Sequence, residues 1–139
     1  WLRHLALQLA GQPCRSILVS LSGDVHFPSL DKATAAQLLE IILQRWNEGM
    51  REPLPVACKT AFAWLEKGPD DADKALEAAQ KEYEGGFEYT GEAQGSTALR
   101  RVFADFDDLT EDSRFFELAE QLYGPLLRHL RADTVETEQ

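Results

Sequence analysis

Between positions 32 and 48, Ala35, Leu38, Leu39, Ile42 and Trp46 recur every three or four residues, the spacing of an amphipathic helix. Asp31 stands where an N-cap is needed, and Gly49 where a left-handed C-terminal cap would end the helix. The same period predicts a helix over 2–10 (Leu2, Leu5, Ala6, Leu9), stopped by Gly11-Gln12-Pro13, and another over about 57–66 (Ala57, Ala61, Trp64, Leu65). Asp70 is placed to cap a further helix whose face is Ala72, Ala75, Leu76, Ala79 and Tyr83, and Gly85-Gly86 breaks it. Residues 87–95 read as irregular. Leu99, Val102, Phe103 and Phe106 mark one short helix. Thr110 can cap a last long one through Phe115, Leu118, Ala119, Leu122 and Tyr123, which Pro125 kinks or restarts.

One segment has a different pattern. Ser16-Ile17-Leu18-Val19-Ser20-Leu21 is short and β-branched, Ser22-Gly23-Asp24 turns, and Val25-His26-Phe27 follows before Pro28. This predicts a hairpin packed against the helix at 32–48. Because two strands alone are marginal in water, it is expected to edge a larger sheet. The expected fold class is α+β, predominantly α, with helices packed on a short β-hairpin. Trp46, Trp64 and Tyr83 are expected to be at least partly buried, since aromatics at core-facing spacing bring large apolar area to a core. Residues 1–131 read as a single domain and 132–139 as a polar, disordered tail.

The 139 residues, 44 % hydrophobic and 27 % charged, suit one globular core. Met50 is the only methionine and the chain opens on Trp1, the pattern of a piece of a longer protein. Arg3, His4 and Gln8 interrupt any leader-like apolar run. Two unpaired thiols, Cys14 and Cys58, suit a reducing compartment, so a cytoplasmic location is expected. Residues 1–65 hold six Lys/Arg against five Asp/Glu, whereas residues 66–139 hold eight against nineteen. The whole of the net charge of −10 therefore comes from the second part, which repels a phosphate backbone.

Candidate chemistry is sparse. His4, His26 and His129 form no HxxxH or HExxH pair, and ordinary half-buried histidines are the commoner reading. Cys58 would be an activated nucleophile only with a histidine beside it. There is no GxGxxG or GxxxxGK[ST] to cradle a phosphate. The acidic groups Asp70-Asp71-Asp73 and Asp105-Asp107-Asp108 lack the glycine and distal glutamate of a calcium loop. No cofactor or metal is expected. Arg100-Arg101 is the one paired basic feature, a candidate rim for an interaction surface or simply a solvated helix face.

Two stretches together carry a resemblance. The first is Trp46-Asn47-Glu48-Gly49-Met50-Arg51-Glu52-Pro53-Leu54-Pro55-Val56, continuing through Lys59-Thr60-Ala61 to Ala63-Trp64-Leu65. The second is Tyr83-Glu84-Gly85 with Gly91-Glu92 beyond it, then Phe103 to Leu109 and Leu122-Tyr123-Gly124-Pro125-Leu126-Leu127. In order and spacing these resemble the C-terminal region of the RecC family, the gamma subunit of exodeoxyribonuclease V, over about residues 1–131. Gly49, Pro53, Leu54, Pro55, Trp64, Tyr83, Gly85, Gly91 and Glu92 are the positions that carry the motifs.

The resemblance implies the C-terminal part of a nuclease-like domain that has lost its PD-(D/E)XK active site. It implies a non-catalytic structural and interaction region of a RecBCD helicase–nuclease in double-strand break repair by homologous recombination. The implied partners are RecD foremost and RecB, with DNA met through the whole complex and no membrane. The residues themselves bear on catalysis. A PD-(D/E)XK site needs an acid two positions before a lysine, to hold Mg²⁺ beside it. Ahead of Lys32, Lys59, Lys67, Lys74 and Lys81 stand Leu30, Ala57, Leu65, Ala72 and Ala79. The alternatives are an unrelated cytosolic helical adaptor and, less favoured, a metal-dependent nuclease built on Asp70, Asp71 or Asp73 with Lys74.

Overall fold

The computed structural model describes residues 1–11, 13–21, 23–68 and 71–137, the last seven by backbone only. The chain divides into two compact units, Trp1–Glu48 with Pro125–Gln139, and Gly49–Gly124. Helices dominate both, and the strands among the described residues form one two-stranded antiparallel hairpin.

In the first unit, helix α1 (Leu2–Leu9) buries Leu5, His4 and Gln8. A buried amide must find partners, and Gln8 finds them in Cys14 and Leu30. Its Nε2 donates to the Cys14 carbonyl at 2.8 Å, and its Oε1 accepts from the N–H groups of Cys14 and Leu30. One side chain thus ties the entry of the hairpin to the entry of the next helix. Strands β1 (Ser16–Leu18) and β2 (Val25–Phe27) pair Ser16 with Phe27, Ile17 with His26 and Leu18 with Val25. The hairpin is a sheet of its own among the described residues, not the edge of a larger one.

The sequence places this hairpin against the helix at 32–48. The side chains that hold it belong instead to α1 and to the C-terminal helix α9 (Gly124–Thr137). The Phe27 ring packs on His4 and Trp1, Ser16 Oγ lies 2.9 Å from His4 Nδ1, and His129 Nε2 lies 2.9 Å from the Pro28 carbonyl. Helix α9 runs on to Thr137, past position 131.

Helix α2 (Lys32–Gly49) starts as its sequence requires, with the Thr34 N–H donating to Asp31 at 2.9 Å. Two details differ from expectation. Gly49 is the last helical residue and has no positive φ, so it is not a left-handed cap. Trp46 is 63 % exposed rather than buried. The physical reason is that Leu38, Leu39, Ile41, Ile42, Leu43 and Trp46 wrap more than one face of α2. Periodicity alone does not decide which of them is covered, and only Ala35 is fully so.

The second unit is built on the pair α3 (Cys58–Lys67) and α4 (Ala72–Glu84). Ala61 and Ala79, both buried, let the two backbones come close. Asp70 lies outside the described residues. The observed cap of α4 is its neighbour Asp71, which accepts the Lys74 N–H and pairs with the Lys74 ammonium at 2.9 Å. Around this pair close α5 (Glu92–Gly95), α6 (Thr97–Val102), α7 (Phe106–Thr110) and α8 (Arg114–Leu122). The core is aromatic: Phe106 and Phe115 meet edge-on at 6.4 Å, and Trp64 lies 5.1 Å from Phe116.

Three expectations are corrected in this unit. The irregular stretch at 87–95 ends in a turn of helix, α5. The stripe Leu99–Phe106 is two helices, because Asp105 caps a new start at Phe106 by accepting the Asp108 N–H. Thr110 closes α7, its hydroxyl donating to the Phe106 carbonyl, and α8 begins after Ser113 instead. Tyr83 is wholly buried and Trp64 half-buried, as their spacing predicts. Leu122 ends α8 and Pro125 is the second residue of α9, so the helix restarts there.

Candidate interaction surface

The residues singled out by the Tyr-Glu-Gly and Gly-Glu motifs converge. Tyr83, at the end of α4, sends its hydroxyl to the Phe103 carbonyl at 2.7 Å. Burial, followed by the nearby carboxylates of Glu92, Asp105 and Asp108, pushes its phenol up to about 12, so it donates this bond as a neutral group. Gly85 takes φ +78 and ends α4, where a side chain would be strained. It bridges to Thr90, which brings the backbones of Gly85 and Gly91 together. A Cβ on Gly91 would run into the backbone of Tyr83, Glu84 and Gly85, so both positions require glycine.

Gly91 in turn places Glu92. The Glu92 carboxylate accepts the N–H of Lys59 at 3.1 Å and both the N–H and the hydroxyl of Thr60, at 2.8 and 2.9 Å. It therefore caps the first turn of α3 from a distant part of the chain, satisfying donors that a helix start leaves open. Thr60, fully buried, is the partner that sequence reasoning missed.

The other motif positions differ in kind. Pro55 is buried, Leu54 half-buried and Pro53 exposed, in the non-helical segment before α3. Gly49 needs no special geometry, since a Cβ there would meet only Leu54 Cδ1 at 3.6 Å.

Above Glu92 lies an open groove of about 390 Å³, walled by Pro53, Leu54 and Val56 on one side and by Ala98, Leu99, Val102 and Phe103 on the other. Cys58 and Tyr123 also line it. Burial raises the Cys58 thiol above its ordinary value, with Glu92 adding to the shift and a Tyr123 hydrogen bond opposing it. Tyr123 is raised too, by burial first and Cys58 next. A thiol held protonated is a poor nucleophile. Arg100 and Arg101 are exposed in the last turn of α6, the helix that supplies one wall, where cations suit the helix C-terminus.

Asp105 and Asp108 are occupied structurally. Asp105 accepts the Asp108 N–H, and Asp108 accepts the Ala104 N–H at 3.0 Å. Among the described residues no group of three or more His, Cys, Asp or Glu is placed to hold a metal ion. His4 and His129 do meet, 5.7 Å apart, but beside Trp1 and Phe27 rather than a cysteine. No helix is long and apolar enough to cross a membrane among the described residues.

The most apolar exposed stretch lies in the first unit. Ile17, Leu18, Val19 and Leu21 are all open on the hairpin. A two-stranded hairpin leaves the outer edge of each strand open, a template for pairing with another segment. The second unit carries most of the acid: positions 49–124 hold eight Lys/Arg against seventeen Asp/Glu.

Residues 1–69 match the family model of the RecC C-terminal domain. That span includes Gly49, Pro53, Leu54, Pro55 and Trp64 of the motifs, while Tyr83, Gly85, Gly91 and Glu92 lie beyond it. No curated protein matches the chain.

Proposed function

We propose, from the match of residues 1–69 to the RecC C-terminal domain, that this chain is a non-catalytic structural and interaction region of RecC, a subunit of the exodeoxyribonuclease V complex. The observation that carries the reading is the uncovered hairpin. Four apolar side chains within five residues stand in water at Ile17, Leu18, Val19 and Leu21. Large apolar side chains exposed together in one short segment mark a candidate contact site.

The remaining observations support the same reading. No lysine is preceded two positions earlier by an acid, so the carboxylate–lysine arrangement of a PD-(D/E)XK nuclease is missing from these residues. Of the acids that would have to serve instead, Asp71 caps α4, Asp105 caps α7 and Asp108 accepts the Ala104 N–H. Partner subunits, RecD foremost and RecB, meet this region directly, and DNA is met by the complex as a whole. Arg100 and Arg101 form a local basic rim on α6 beside the groove.

The test mixes the full-length parent chain with each partner subunit and, separately, with duplex and forked DNA at about 0.15 M salt, where screening reaches only about 8 Å. Binding to a subunit, weakened by Ile17→Ser with Val19→Ser, is the expected result. Submicromolar DNA binding that survives those substitutions, with no subunit bound, would overturn the reading.

A further inference from the structure

Phe87 is wholly exposed, yet the turn that presents it is built with care. Gly85 and Thr90 bridge its base, and the Gly86 N–H donates to the Tyr89 carbonyl at 3.1 Å. Two side chains fasten it from outside. Tyr89 Oη donates to the Lys81 carbonyl at 2.9 Å, and Gln94 Nε2 donates to the Glu84 carbonyl at 2.7 Å. An apolar ring at the tip of a fastened turn has already given up backbone freedom, which lowers the ordering cost of binding through it.

The charge around the ring narrows the choice of partner. From 82 to 92 the chain carries Glu82, Glu84, Glu88 and Glu92 and no lysine or arginine. Lys81, just before, lies over the Tyr89 ring. Glu88, exposed, is next to Phe87 itself. A nucleobase could stack on the ring only by bringing phosphates toward these carboxylates, and an anionic lipid surface meets the same repulsion. A protein surface with an apolar socket and lysines or arginines at its rim satisfies both the ring and the charge.

We propose that Phe87 is a docking anchor of the second unit, seated in a basic-rimmed apolar socket on a partner subunit. The inference rests on the interaction reading above and adds the residue and the chemistry of the partner. The experiment replaces Phe87 with the photoreactive p-benzoylphenylalanine in the full-length chain, assembled with its partner subunits and irradiated. A crosslink to another subunit, on a peptide carrying apolar residues and Lys or Arg, is expected. A crosslink to DNA, a crosslink within the same chain, or none at all overturns the anchor.

Affinity gives the second arm. Phe87→Ser is expected to weaken subunit binding roughly 10- to 100-fold, the loss of one buried phenyl group, with Phe87→Leu keeping most of it and Glu88→Lys weakening it further. Unchanged affinity in Phe87→Ser overturns the anchor and leaves the interaction reading standing. Failure of the unsubstituted chain to bind any subunit overturns both.

Discussion

Glu92 holds Thr60 by two hydrogen bonds: its Oε2 accepts both the Thr60 N–H, at 2.8 Å, and the Thr60 hydroxyl, at 2.9 Å. The two residues are 32 apart in sequence, so α5 caps α3 across the core of the second unit. Replacing Glu92 with alanine removes the cap and strands a fully buried hydroxyl. A loss of about 1–3 kcal/mol is expected in urea unfolding. Thr60→Val removes the hydroxyl alone and should cost less, and the double variant should lose less than the sum of the two. Strict additivity would show that the two residues do not act together.

The glycines separate into those the backbone needs and those it does not. Gly91→Ala drives a methyl into the backbone of Gly85 and Glu84, and Gly85→Ala places a side chain at φ +78. Both should unfold the second unit at markedly lower temperature, with Gly91→Ala the more severe. Gly49→Ala should be neutral or stabilising by up to about 1 kcal/mol, because the site is helical and the methyl meets only ordinary contact. A Gly49→Ala chain that melts as early as Gly91→Ala would contradict this geometry.

Legibility in the sequence followed the range of the interaction. Asp31 could be read as a cap because the N–H it accepts is three residues on. The end of α4 at Gly85 was legible for the same reason. Leu99, Val102, Phe103 and Phe106 fit one helical stripe, yet the Phe103 carbonyl goes to Tyr83 Oη, and Asp105 starts a new helix. A hydroxyl twenty positions away decides that break, and no local pattern announces it. The Gly-Glu pair was visible at 91–92 and Thr60 within the first motif stretch, while nothing local in either showed that the two would meet. Trp46 was misplaced because α2 is apolar on more than one face.

Acid should loosen the first unit. Burial, and then the neighbouring His129, lower the His4 pKa from its ordinary 6.5. The folded state therefore favours neutral His4, and the unfolded chain binds the proton more readily. The stability this provides is complete above about 6.5 and is lost as pH falls below that, through the lowered folded value. Unfolding midpoints followed from pH 8 to 5 should drop in the lower half of that range. His129→Gln should bring the His4 titration, read from its imidazole NMR signals, back upward. An unmoved His4 titration in that variant would show that the two rings do not interact.

The hairpin bears most directly on the account as a whole. Amide hydrogen exchange over Ile17–Leu21 can be followed in the chain alone and in the complex assembled from the full-length subunit and its partners. The exposed Ile17, Leu18, Val19 and Leu21 predict fast exchange in the chain alone, and a contact role predicts strong slowing in the complex. Exchange equally fast in both would contradict the claim that this hairpin works as an interaction surface.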